Sequence, residues 1–346
     1  MQQRIAVSDA ARQKIGNMGL LCAMLVVSIH VVWPHDMPMS FGWFIHQCVK
    51  QGIARIAVPF FFIVSGFLLS RHFYEHGWWG REISKRISSL VVPFVFWSLA
   101  YVAATIPLSA IADPATRCLF GINAIFHFPY CVMGFDLTDN PLLVPLWYVR
   151  CLFLFVLTAP AFKLAVFRLG IVWLMCAFLL LLIVEDLQNE TCRTLFSRGY
   201  SALGAFYFSV GIYVQRIKPK SLPSWVAIVC AITGLALLAA RIAAECNGWR
   251  CAGVLHHLSL PLLTYAAWRG AGAVRLPTWL VRCSFPVFLM HFIVLAYFWV
   301  IGSRLTLNGM AFPMISYAGS ILVSIAAALL LRRFAPKLAG IIFGGR

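Results

Sequence analysis

Two residue types that are costly in an apolar chain occur where they could act together. His30 closes the run "GLLCAMLVVSIHVVW", and Arg55 heads the run "ARIAVPFFFIVSGFLLS". A neutral imidazole can take a proton near physiological pH. A fixed guanidinium can bind an anion or stabilise a developing negative charge. Two further places carry polar groups inside apolar sequence: Trp147, Tyr148 and Arg150 in "PLWYVRCLFLF", and His291 in "SFPVFLMHFIVL". Each has a plainer reading. Arg55 can snorkel to lipid headgroups, Trp147 and Tyr148 can form an interfacial aromatic belt, and His291 can hydrogen-bond between helices.

The elements that must position these groups are membrane helices. The chain has 346 residues, 62% hydrophobic and 11% charged, with a mean hydropathy of +0.86. Soluble domains carry about 25% charged residues. A bilayer-spanning helix needs roughly 20 apolar residues, and backbone groups in lipid must be satisfied internally. The apolar runs are too long for barrel strands. The expected fold is all-α, a polytopic helix bundle of about ten spans: 15–33, 53–70, 88–110, 142–162, 169–187, 199–214, 222–243, 252–268, 279–302 and 314–331. Residues 1–346 hold no linker or hydrophilic block long enough for a second domain, so a single membrane domain is expected.

The net charge of +17 does not point to nucleic acid, because the cations sit in short loops between apolar runs. One set of loops holds Arg4, Arg12 and Lys14, then Arg71, Arg81, Lys85 and Arg86, then Lys163 and Arg168, then Arg216, Lys218 and Lys220, then Arg269 and Arg275, then Arg332, Arg333, Lys337 and Arg346. The alternate loops hold Asp36, Asp113, Asp136, Asp139, Glu185, Asp186, Glu190 and Glu245. Positive residues mark cytoplasmic loops, so both termini are expected to be cytoplasmic. The first apolar run has no small-residue cleavage site after it and reads as a retained helix.

Cys48, Cys118, Cys131, Cys192, Cys246 and Cys251 fall in the outward loops, and no cytoplasmic loop carries a cysteine. That placement fits an oxidising compartment. Two pairs share short outer loops and are expected as possible disulfides, Cys246 with Cys251 and Cys118 with Cys131. No close Cys/His spacing points to a metal site.

Depth brings the candidates together. The first helix leaves the cytoplasm near Ile15 and the second enters from outside. His30 and Arg55 then each lie about three residues, roughly 4.5 Å, from the outer boundary. Arg150 lies deeper, on the order of 12 Å, and needs a partner or a wet cavity. Pro286, five residues before His291, can loosen the backbone there. On the cytoplasmic side, Arg81, Lys85 and Arg86 precede the third span. Such a run can hold anionic lipid headgroups or the phosphates of a soluble donor, and positive-inside topology alone also accounts for it.

These features, in this order, resemble the acyltransferase-3 family of bacterial inner-membrane O-acyltransferases, which modify surface glycans. The most specific string is Arg55, Ala57, Val58, Pro59, Phe61, Phe62, Ser65, Gly66 and Phe67, and the likeness runs from about residue 14 to 331. The resemblance implies an acyl-CoA donor, most simply acetyl-CoA, with no bound cofactor, a glycan or lipid-linked sugar acceptor, and contact with membrane lipid. It implies His30 as general base and Arg55 as oxyanion or donor clamp. Trp147, Tyr148, Arg150, His291 and Ser65 would contact substrate, and Arg81, Lys85 and Arg86 the donor phosphates. The chain departs from the family pattern in its first helix, where an Asp and an Arg are replaced by Gly16 and Gly19; Arg12 and Lys14 lie nearby in sequence. Two rival readings use the same intramembrane charges: a transporter or flippase for an acyl or glycan-linked substrate, and a catalytically silent sensor.

Overall fold

The computed structural model describes residues 8–34, 40–134, 136–185, 190–219, 222–305, 307 and 309–345, the side chains of residues 132, 133 and 185 excepted. Of the charges used to read the topology, Arg4, Asp36, Asp186, Lys220 and Arg346, with the side chain of Glu185, lie outside the described residues.

Every regular element among the described residues is helical. The principal helices are α1 (Asp9–His30), α2 (Ala57–Ser70), α3 (Trp78–Arg86), α4 (Val92–Ala104), α5 (Leu146–Leu157), α6 (Ala159–Leu169), α7 (Ile171–Glu185), α8 (Ala202–Ile217), α9 (Ser224–Cys246), α10 (Ala252–Gly270), α11 (Ser284–Arg304), α12 (Ala311–Phe334) and α13 (Pro336–Ile342). Among the described residues, five stretches are long and apolar enough to cross a bilayer: Phe41–Ser70, Trp78–Ile111, Ser224–Cys246, Ser284–Arg304 and Ala311–Phe334. The pair α5 and α6, bent by 68° at its junction, makes a sixth. The protein is therefore a multi-pass helical membrane protein.

A helix lies at each of the ten segments expected to span, but four of them miss the length or apolarity of the other six. Helix α1 begins at Asp9 and carries Arg12, Gln13, Lys14 and Asn17 in its first half. Helices α7 and α8 have only 15 and 16 residues. Helix α10 carries His256, His257 and Arg269. The bend between α5 and α6 has a local cause. Pro160 lacks an N–H and cannot continue the helix behind it. Thr158 Oγ1 at the break donates to Leu154 O at 2.9 Å.

Close backbone approach builds the centre. A Cβ on Gly66 would stand 2.1 Å from Phe208 O, and one on Gly211 would stand 2.0 Å from Ile63 O. Only glycine permits α2 and α8 to meet this closely, the small-residue packing that membrane helices use in place of a hydrophobic drive. Polar groups pin the start of α1. Asn17 Nδ2 donates to Ala271 O and Val274 O, at 2.9 and 2.5 Å, and Gln13 Nε2 donates to Leu276 O.

Between the first two spans the helix is irregular. Residues Ile45–Lys50 form a π-helical turn and Ile53–Ile56 a 3₁₀ turn, broken at Gly52 with φ −108° and ψ −97°. Such departures from α geometry often mark functional sites. Here they place Gln51 and Arg55 on the wall of a cavity.

Candidate active site

A cavity of about 670 Å³ opens among the helix ends. Its wall takes His30 from the last turn of α1, Gln51 and Arg55 from the irregular segment, and Trp147 and Tyr148 from the first turn of α5. Arg198 comes from the turn before α8, Arg241 and Glu245 from the end of α9, and His256 and His257 from the start of α10.

His30 is half-buried. Its ring meets Phe292 edge-on, with centroids 5.2 Å apart and planes at 89°, and lies 5.4 Å from the ring of His291. Arg55 shares the cavity with it and donates from NH2 to Gln51 Oε1 at 2.5 Å. The Arg55 guanidinium therefore borders an internal space rather than only lipid. His30 and Arg55, expected at similar depth on consecutive helices, line the same cavity.

Ser65 and Tyr148 are joined, Ser65 Oγ lying 3.2 Å from the Tyr148 hydroxyl oxygen. Tyr148 packs edge-on against Phe62 at 4.8 Å and Trp147 against the same ring at 6.3 Å. Both line the cavity, so neither is purely a belt residue. His291 is fully buried, 0% exposed. Its Nδ1 lies 2.9 Å from Val287 O. A carbonyl only accepts, so Nδ1 carries the proton and Nε2 is left as the acceptor. That Nε2 has no hydrogen-bond partner among the described residues. Pro286 does not loosen the helix near His291: α11 starts at Ser284, so this proline sits in the first turn, where a missing N–H costs little.

Arg150 is placed apart from the cavity wall. It is 8% exposed and donates to three backbone carbonyls, Gly134 O at 3.3 Å, Asp136 O at 2.5 Å and Asp139 O at 2.9 Å. Its expected need for a partner is met by the loop before α5, which it ties down. Asp136 organises the same loop, accepting from Thr138 N at 2.8 Å and Thr138 Oγ1 at 2.6 Å. Those bonds hold its carboxyl below the usual range.

The cations expected on the cytoplasmic side are paired. Arg81 bonds Glu75 at 2.8 Å, while Lys85 and Arg86 reach Glu82 at 2.8 and 3.4 Å. Glu82 is buried. The expected disulfides are not formed: all eleven cysteines are free thiols, Cys118, Cys131, Cys246 and Cys251 among them. Cys131 Sγ instead lies 3.7 Å from Asp139 Oδ2. Burial first, then this carboxylate, pushes its thiol up to about 11. No group of three metal-ligating side chains comes together among the described residues.

Sequence reasoning passed over Arg198, Arg241, Gln51, His256 and His257, all on the cavity wall. Two signals were available. Arg241, His256 and His257 fall inside segments expected to span, where an ionisable group is a functional candidate by default. Arg198 is a cation on the side that charge alternation leaves acidic, an exception to the positive-inside pattern.

A family model described as an acyltransferase domain, Acyl_transf_3, matches residues 18–333. The chain belongs to this acyltransferase family. A relative, the succinoglycan biosynthesis protein ExoH of Rhizobium meliloti (strain 1021), is 25% identical over 360 residues, covering 96% of this chain and 92% of ExoH. No solved structure matches the chain. Within this acyltransferase the departure at Gly16 has a steric counterpart. A Cβ there would stand 2.4 Å from Val281 Cγ1, so the space an acid would need is already filled. At Gly19 the nearest atom, Ser284 Oγ, is an ordinary 3.8 Å away.

Proposed function

We propose that this protein is an inner-membrane O-acyltransferase that moves an acyl group, most simply acetyl, from acyl-CoA to a hydroxyl of a surface or lipid-linked glycan. The family membership supports the transfer chemistry. The relative named for succinoglycan biosynthesis supports a glycan as acceptor. The observation that carries the assignment of residues is that His30 and Arg55 line one cavity. We place ten spans in the bilayer, with both termini cytoplasmic.

A sugar hydroxyl is a weak nucleophile until a base takes its proton, and His30 fills that role. The hydroxyl oxygen then adds to the thioester carbonyl. The tetrahedral intermediate carries its negative charge on the former carbonyl oxygen, where the Arg55 guanidinium stabilises it. Collapse breaks the C–S bond, and the departing thiolate takes the proton held by His30. The products are the glycan ester and free CoA thiol. Tyr148, with Ser65 behind it, and Trp147 shape the space beside the reacting groups. His291 supports the His30 ring from below. The donor phosphates belong at the cytoplasmic run, where Arg81, Lys85 and Arg86 outnumber their partners Glu75 and Glu82.

The test is mass spectrometry of surface glycans from cells with the protein, without it, and with His30→Ala. Ester groups present only with the intact protein are the expected result. Identical glycans in all three would sink the assignment. A purified protein that leaves acyl-CoA intact while moving a labelled substrate across vesicles would mark a transporter.

A further inference from the structure

The cavity is more cationic than transfer to a neutral sugar requires. Among the described residues, four arginines line it, Arg55, Arg193, Arg198 and Arg241, against one acid, Glu245. Glu245 is taken, since Arg241 NH2 forms an ion pair with its carboxylate one turn along α9. Arg193 pairs with Glu190 at 3.6 Å and stands half-exposed at the rim. Arg198 makes no ion pair among the described residues. Its NH1 donates to a neutral amide oxygen, Asn140 Oδ1, at 2.8 Å. That bond fixes the guanidinium in place and leaves NH2 and Nε without a hydrogen bond among the described residues. Asp139 is the acid within electrostatic reach.

Arg241 is held just as firmly. Its side chain is 11% exposed, and its NH1 donates to Gln47 Oε1 at 3.3 Å. Two guanidinium groups, each fixed by a polar side chain from another element, thus face a space that also holds the base. Arg198 lies within electrostatic range of His30, together with Arg55 and Lys50. Arg198 has no ion-paired carboxylate among the described residues, and the planar fork of each arginine suits a carboxylate or phosphate.

Resting on the acyl-transfer reading above, we propose that Arg198 and Arg241 form a subsite for an anionic group on the acceptor, so that the glycan modified is acidic, carrying a uronate-type carboxylate or a sugar phosphate next to the acylated hydroxyl. The anion belongs to the acceptor rather than the donor because both arginines sit at the end of the bundle shared with His30. The run Arg81, Lys85 and Arg86 is elsewhere, on α3 between α2 and α4. Seating the charge would orient one hydroxyl toward His30, which is how a remote ionic contact selects a position on a sugar ring.

Trp147 on the same wall offers a readout that needs no turnover. Its fluorescence, in purified full-length protein in lipid nanodiscs, is titrated with glucuronate, glucose 1-phosphate, glucose and coenzyme A. The acidic sugars are expected to bind about tenfold or more tighter than glucose, a difference of one charge-assisted contact. Their binding should weaken as salt rises from low to high, and glucose binding should not. Arg198→Gln and Arg241→Gln should each remove the preference for the acidic sugars, and Arg198→Lys should keep part of it. Equal binding of glucuronate and glucose by the unaltered protein overturns the subsite. So does a loss confined to coenzyme A in the Arg198→Gln protein, which would assign the arginines to donor phosphates. Failure of acyl transfer with every acceptor would instead strike the underlying reading, because this titration contains no acyl donor.

Discussion

The rings of His30 and His291 lie 5.4 Å apart at the junction of α1 and α11, and Nδ1 of His291 is committed to Val287 O at 2.9 Å. His291 is thus a buried ring whose Nδ1 is committed to a backbone carbonyl, standing behind the residue assigned as base. It acts as a positioning residue, keeping the His30 ring turned to the cavity. His291→Phe keeps the ring volume and should lower turnover by about 10- to 100-fold, less than His30→Ala, for which roughly 100- to 10,000-fold is expected. The double variant should be no worse than His30→Ala alone, because residues acting as a unit fail together. Turnover measured against pH separates positioning from general loss of structure. In His291→Phe the profile should change shape, whereas a merely less stable protein would keep its shape at lower amplitude.

Arg150 has a different part, although it looked equally functional in sequence. Its bonds to the carbonyls of Gly134, Asp136 and Asp139 tie the outer loop to α5. Arg150→Gln leaves those carbonyls short of donors inside the protein and should cost on the order of 3 kcal/mol. The measurement is thermal unfolding in detergent. A large fall in melting temperature, with residual activity restored at lower temperature, is expected. Loss of activity at unchanged melting temperature would show that Arg150 contacts substrate instead.

Gly66 and Gly211 should tolerate no side chain. Alanine at either would place a methyl carbon 2.0 to 2.1 Å from a backbone oxygen of the facing helix. Backbone cannot swing aside as a side chain can, so α2 and α8 must part. Gly66→Ala or Gly211→Ala should destabilise by about 3 kcal/mol. Gly253, beside which nothing lies within 4 Å, is the matched control and its alanine variant should melt normally.

The helices were readable because lipid leaves the backbone few options, and a helix lies at every expected segment. That His30 and Arg55 could share one space was legible because they stand at adjoining ends of two consecutive helical segments, and both line the cavity. The partners of Arg150 were not legible in the sequence for a physical reason. They are backbone carbonyls of a loop, and backbone acceptors have no signature in sequence. The bend at Thr158 lay in plain sight at Pro160, but a 21-residue apolar run hid it. Arg198 and Arg241 reach the cavity through elements distant in the chain, Asn140 and Gln47 among them. Only the assembled bundle places those anchors.

Cys131 offers a check on the outer loop that does not depend on activity. Its thiol is pushed up to about 11 by burial first and by Asp139 second. At pH 8 the thiolate is scarce, so reaction with a maleimide should be slow, and raising the pH to 10 should speed it by about 100-fold while the folded state holds. Asp139→Asn removes one of the raising causes and should speed labelling at pH 8. Rapid labelling of Cys131 at pH 8, or a reducible bond to Cys118 revealed by intact mass with alkylation before and after reduction, would contradict this arrangement.

Arg55 gives the sharpest test of the site. A snorkelling arginine can be replaced by lysine with little effect, because both stems reach the headgroups. Arg55 instead borders the cavity and is steered by Gln51 Oε1. Lysine keeps the charge but loses the planar fork that can hold Gln51 and an oxyanion at once. Arg55→Lys should therefore lower acyl transfer by about 100- to 1,000-fold, the usual cost of one lost electrostatic donor. The loss should fall on turnover more than on substrate affinity, because the charge it meets develops only in the transition state. Gln51→Ala, which frees the guanidinium without removing it, should cost less. Transfer of labelled acetyl, normalised to folded protein in the membrane, is the measurement. Near-normal transfer by Arg55→Lys would return Arg55 to the lipid boundary and leave His30 without the cation assigned to it.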